Sequence, residues 1–198
     1  SFTVEVTGVP PSIVCPADIV VNNDSGNCDA IVTFAATETT GVPASVITYS
    51  QDPGTAFPVG VTTVTATATN AVGTDQCTFT ITVNDTEDPS ITCPADITTS
   101  NDTGDCSAVV TYTTPVGTDN CTGATTTQTA GLPSGSTFPV GVTTNTFEVT
   151  DAAGNSTTCS FTVTVNDTED PSITCPADIT TSNDTGDCSA VVTYTTPV

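Results

Sequence analysis

The chain has 198 residues, 22 of them Asp or Glu, with no Lys, Arg, His, Met or Trp, and a formal charge of -22. Nothing in it offsets a phosphate backbone or draws it to an anionic lipid surface, so nucleic-acid partners and direct membrane binding are excluded. Without His or Lys to activate a Ser or Cys, and without Trp platforms for a sugar, no enzyme is expected.

Residues Thr82–Val116 recur letter for letter as Thr164–Val198, 82 positions later. Identity over 35 residues marks tandem copies of one module. Taken in chain order, residues 1–10 read as the last strand and linker of a preceding module, since Ser1–Val6 aligns with Ser160–Val165. Residues 11–84 read as a divergent first module, 85–166 as a second with an acidic linker, and 167–198 as the start of a truncated third. Further copies in a longer chain are the expected partners, with neighbouring chains in a filament as a further candidate. Each module is small for a self-sufficient core, so disulfides are expected to help.

The predicted elements are strands. Alternation of apolar residues with Thr is plain at Phe79–Val83, Val109–Thr113 and Phe161–Val165. Gly, Pro, Asn and Asp mark turns at Ser100–Gly104, Leu132–Ser136 and Asp151–Asn155. No segment has helical periodicity. About seven short strands per module, with a turn every 8–12 residues, fit an all-β two-sheet sandwich. Nine Cys in a repeating pattern point to an oxidising compartment, extracellular or at the cell surface. The four of the second module, Cys93, Cys106, Cys121 and Cys159, allow three pairings.

The second module contains Asp88-Pro89, Ile91-Thr-Cys-Pro-Ala-Asp-Ile97, Asp119-Asn-Cys121, Gly135-Ser-Thr-Phe-Pro-Val-Gly141, Thr150-Asp-Ala-Ala-Gly-Asn155 and Cys159-Ser-Phe-Thr-Val-Thr-Val165. These ordered motifs closely resemble the HYR (hyalin repeat) module, in the form found in long surface proteins of bacteria. The resemblance implies tandem immunoglobulin-like sandwiches, an extracellular setting, an adhesive or structural role and no shared catalytic site. Many modules of this kind keep only the first and last cysteine, which implies Cys93 with Cys159 and leaves Cys106 with Cys121. Carried to the first module, the scheme pairs Cys15 with Cys77 and leaves Cys28 as a candidate free thiol.

The linker Asn84-Asp-Thr-Glu-Asp-Pro89 recurs as Asn166–Pro171. In an immunoglobulin-like sandwich it would meet two loops of the second module, one holding Asp119 and Asn120, the other Asp151 and Asn155. Asp85, Glu87, Asp88, Asp119, Asn120, Asp151 and Asn155 are therefore candidate Ca²⁺ ligands, since Ca²⁺ takes six to eight such oxygens. Asp167, Glu169 and Asp170 would begin an equivalent site. The junction before the first module, Thr7-Gly-Val-Pro-Pro11, has no acid, and its loops Thr37–Pro43 and Asn70–Thr74 lack the Asp pair, so it should be empty. Asn23, Asn84, Asn101, Asn120, Asn155, Asn166 and Asn183 begin Asn-x-Ser/Thr sequons and are candidate glycosylation sites. The function expected is a structural module of an extracellular filament or surface stalk, stiffened by Ca²⁺ at its joints. The alternative is an adhesin whose loops grip a glycan or protein.

Overall fold

A computed structural model describes residues 7–196, so the expected closing strand over residues 1–6 lies outside the described residues. Every regular element among the described residues is a strand, as the Thr- and Val-rich alternation requires.

The first module has eight: β1 (Val9–Val14), β2 (Ile19–Asn22), β3 (Asp29–Val32), β4 (Thr37–Val42), β5 (Val46–Tyr49), β6 (Thr55–Pro58), β7 (Gly60–Thr69) and β8 (Thr74–Asn84). One sheet has the order β2-β8-β7-β5, and the opposite layer holds β1-β4 and β3-β6. The first run of chain changes sheets: β1 pairs antiparallel with β4, then β2 pairs parallel with β8. The second module repeats this plan with β9 (Ile97–Ser100), β10 (Ser107–Val110), β11 (Thr125–Ala130), β12 (Ser136–Pro139), β13 (Gly141–Thr150) and β14 (Ser156–Asn166). Its sheets are β9-β14-β13-β11 and β10-β12. The β1-β4 ladder of the first module shrinks here to one bridge, Ser90 to Thr118. The fold is all-β, in tandem immunoglobulin-like sandwiches of eight and six strands.

Each core is the inward face of the long hairpin closed on the opposite layer. Val64, Phe79, Ile81 and Val83 meet Ala30, Val32 and Phe57 in the first module. Phe147, Phe161, Val163 and Val165 meet Ala108, Val110 and Phe138 in the second. The intervening Thr residues face outward, the period of two expected of a strand with one wet face. The two cores keep their volume by exchange. Tyr49 pairs across the sheet with Ala66 in the first module. At the corresponding places the second carries Gln128 and Phe147. The aromatic bulk thus moves from one strand to its neighbour, and both arrangements make edge-on ring contacts, Phe34 to Tyr49 at 5.2 Å and Tyr112 to Phe161 at 4.9 Å.

Residues 167–196 form no strand. Their sequence is identical to the one that forms β9 and β10. The difference is in the partners: β9 needs β14 and β10 needs β12, both later in the chain than the strands they hold. Within these 198 residues the third copy has no such pair.

Candidate functional site at the module joint

The joint is built upward from a turn. Asp24–Asn27 closes with the Asn27 amide on the Asp24 carbonyl at 2.9 Å. Gly26 sits at φ 75°, a conformation that costs a side-chain-bearing residue 1–2 kcal/mol on the order of magnitude, and turns its N–H outward. The Glu87 carboxylate accepts that N–H at 2.9 and 2.8 Å, and the Ser25 hydroxyl at 3.2 Å. Asn23 accepts the Thr86 amide on Oδ1 at 3.1 Å, and its own amide donates to the Asn84 carbonyl at 2.8 Å. The linker is therefore bonded onto the module it leaves. The second joint repeats the pattern: Glu169 accepts the Gly104 amide at 2.8 Å, and Asn101 accepts the Thr168 amide at 3.0 Å.

The far side of the joint belongs to the second module. Asn120 donates through Nδ2 to the Asn27 carbonyl at 2.8 Å. One residue on, Cys121 is bonded to Cys28, with Cα atoms 4.9 Å apart and 93 positions between them in sequence. This corrects two expectations. Cys121 does not pair with Cys106, and Cys28 is not a free thiol. Cys106 is exposed and unbonded, because its loop lies at the opposite end of the second sandwich from Cys121. Cys15–Cys77 and Cys93–Cys159 are joined within their modules, with Cα separations of 5.7 and 5.6 Å. The signal that pointed to the inter-module bond was the leftover itself: the first module has three cysteines, so Cys28 has no partner within it. The pairing scheme had treated each module as closed.

The candidate ligands divide. Asp85 and Asp151 are 9% and 7% exposed, and Asp119 keeps one oxygen, Oδ1, buried without any partner. Carboxylate oxygens of Asp85 and Asp119 and the Cys121 sulfur lie within 4.8 Å of one another. The sulfur is spent in the disulfide, so the donors there are the two carboxylates. Asp88 and Asn120 line an open groove with Gly26, Glu87, Ser90, Thr118 and Asp119, while Asp85 lines a neighbouring one with Cys28 and Cys121. Glu87 is committed to Gly26. Asp151 is committed to its own turn: Oδ1 accepts the Gly154 and Asn155 amides at 2.6 and 2.8 Å, and Oδ2 accepts Asn155 Nδ2 at 2.8 Å. Burial works against its charge. The bonds from the Asn155 side chain and from the backbone of Gly154, Asn155 and Ala153 outweigh that and hold its pKa below 3.8. Asn155 also reaches the Asp85 carbonyl at 3.4 Å. At the second joint Asp167, Glu169 and Asp170 line an exposed groove with Asn101, Gly104, Asp105, Cys106 and Pro171.

The start of the first module solves the same closure without charge. Asn70 replaces Asp151, and its Nδ2 bridges the Val9 carbonyl of the linker at 2.9 Å and the Pro43 carbonyl of the neighbouring loop at 3.0 Å. A neutral amide supplies there the donors that a carboxylate lacks. Of the sequons, Asn84 and Asn166 are exposed, while Asn23, Asn101, Asn120, Asn155 and Asn183 already use Nδ2 as a donor within the fold.

Comparison with known proteins agrees with this architecture. A model of the HYR domain matches residues 7–83 and again 84–165. Hyalin of Strongylocentrotus purpuratus is 35% identical over 99% of this chain, and hyalin of Lytechinus variegatus 33% identical over 98%. The chain spans 17% and 38% of the length of these two relatives. A human protocadherin-24 fragment superposes over 83% of this chain and 100% of its own, at 12% identity and a TM-score of 0.36. An I-band fragment of titin covers 81% of this chain and 66% of its own, at 14% identity and a TM-score of 0.35. Those superpositions are too loose to add to what the strand order shows. The disulfides and the matched family place the molecule outside the cell or at its surface, and its two matched modules make the chain a member of the HYR domain family.

Proposed function

We propose that the chain is a segment of an extracellular stalk or filament, a tandem array whose joints are made stiff. The observation that carries this is the Cys28–Cys121 bond, which ties one sandwich to the next across a linker that Glu87 bonds to the first and the Asp85 carbonyl to the second. In the chain-entropy model a bridge over that span contributes about 4–5 kcal/mol, and it removes the freedom of the hinge it crosses. Relative motion between modules is otherwise the default across a small polar interface.

A divalent cation, Ca²⁺ by its preference for oxygen, would add to this joint. The residues fit in reduced form. Asp85 and Asp119 each accept one backbone amide, from Glu87 and Cys121, and each keep a second carboxylate oxygen. Asp88 lines the groove beside Asp119, and no Lys, Arg or His exists to balance them. Asp119 Oδ1 is buried with no hydrogen-bond partner. The cation would supply the missing positive charge. Asp119, Asp85 and Asp88 would hold it, while Glu87 and Asp151 keep their bonds to backbone amides. Titration calorimetry with Ca²⁺ on the full chain tests this. Binding that is lost in Asp119→Asn but kept in Glu87→Gln supports it. No heat in the parent chain removes the cation and leaves the disulfide to stiffen the joint alone.

A further inference from the structure

We propose that Cys106 is the covalent link to the module that follows. It bonds to the cysteine which the next copy carries at the place of Cys121, so the bond seen once in this chain repeats along the array. The inference deepens the stalk reading and rests on it.

Three observations carry it. First, Cys28 and Cys106 occupy one position in two copies of the fold. Cys28 directly precedes β3 and Cys106 directly precedes β10, the strands that pair with β6 and β12 in their modules. Each accepts an amide through its carbonyl in the same way, from Val59 at 3.2 Å and from Val140 at 3.1 Å. The one with a following module in place is bonded to it, and the other is exposed and unbonded. Second, the near half of the second joint is already formed like the first. Glu169 holds Gly104 as Glu87 holds Gly26, and Asn101 holds Thr168 as Asn23 holds Thr86. Cys106 lines that groove beside Asp167, Glu169 and Pro171. Third, the chain beyond the joint is identical to the second module through Val198, so the incoming partner is of the kind that carries Cys121. The other unbonded thiols do not compete. Cys175 stands at the place of Cys93, whose partner lies within its own module, and Cys188 stands at the place of Cys106 itself.

The same comparison explains why the first module has three cysteines. It has no residue equivalent to Cys121, and the joint before it is the neutral one closed by Asn70. The receiving cysteine and the acidic linker are lost together, which defines two kinds of joint.

Chemically, two thiols lose two protons and two electrons. The electrons pass to a disulfide donor, such as oxidised glutathione or a dithiol oxidase, which leaves as two thiols through a mixed disulfide on Cys106.

The test extends the chain after Val198 with a second copy of Gly117–Asn166, which completes the third module. The product is folded with glutathione disulfide and mapped without reduction after cleavage at Asp and Glu, since trypsin has no site. The expected result is one peptide pair joining Cys106 to the appended copy of Cys121, with no iodoacetamide on Cys106. Changing that appended cysteine to Ser should restore complete labelling of Cys106. A Cys106 that labels in the extended parent, or that bonds to Cys188 or to a second chain, overturns the proposal. Recovery of Cys28–Cys121 in that same map confines the failure to this inference, whereas its absence would overturn the stalk reading as well.

Discussion

Carboxylates in this chain serve as acceptors for backbone amides, because no cationic side chain is present to serve them. Asp18 accepts the Thr80 amide at 2.7 Å, and Asp96 accepts Thr162 at 2.7 Å in the other module. Asp24 and Asp102 accept Ile31 and Val109 in the same paired way. Asp151 is the buried instance, with its pKa held below 3.8 by Asn155 and the surrounding amides. A depressed pKa stabilises the fold above the unfolded value near 3.8, and that contribution is lost as the pH falls through the lower folded value. Asp151→Asn should therefore lower the second module's urea midpoint at pH 7. The difference from the parent should close as the pH falls through that lowered folded value, because the parent carboxyl is then protonated too. A difference that stays constant with pH would refute that assignment. Asn145 is the other informative residue. It is fully buried where the first module has Val64, and its Oδ1 accepts the Leu132 amide at 2.8 Å. Asn145→Ala should cost about 1–3 kcal/mol in denaturant unfolding, since that amide is left without its acceptor. A loss under 0.5 kcal/mol would show that water replaces it.

At the scale of elements, alternation made β8 and β14 legible from sequence, because their inward Phe, Ile and Val sit at strict period two. The short strands were less so. β2 and β9 hold only four residues each, and their existence depends on a parallel partner some sixty positions away. The third copy shows this directly, with the same letters and no strand. Appending Gly117–Asn166 should therefore create strands at residues 179–182 and 189–192. Amide exchange of Thr180 and Ser182 should slow by at least tenfold relative to the present chain, and unchanged exchange would show that the segment's own sequence limits it. The linker's role was half legible. Its acids were readable as a cluster, but Glu87 faces back to Gly26 rather than toward the loops of the next module, which depends on the left-handed turn placing an N–H beside it. Glu87→Ala should leave both melting transitions within about 0.5 kcal/mol of the parent, as surface changes do. It should speed exchange of the Gly26 amide several-fold.

Across the whole molecule, the two joints differ in kind. The joint before the first module is closed by Asn70 amide bonds to Val9 and Pro43. The joint before the second is acidic and crossed by a disulfide. The convergence of Asp85, Asp119, Asp151 and Asn155 was legible in the linker motif and in the loops of a sandwich. The disulfide was not, because cysteines were paired within a module, whereas the fold sets Cys28 at the trailing end of one sandwich and Cys121 at the leading end of the next. In the stalk proposed above, the stiffness would have a covalent origin that survives chelation. Small-angle scattering of the full chain in EGTA should keep its maximum dimension, while Cys121→Ser should broaden the distance distribution and leave both sandwiches folded. The most direct test is a non-reducing peptide map of the native protein after cleavage at Asp and Glu. The expected map has Cys28 joined to Cys121, with Cys15–Cys77 and Cys93–Cys159 beside it. A Cys28 that takes up iodoacetamide, or a Cys121 found on Cys106, would contradict it.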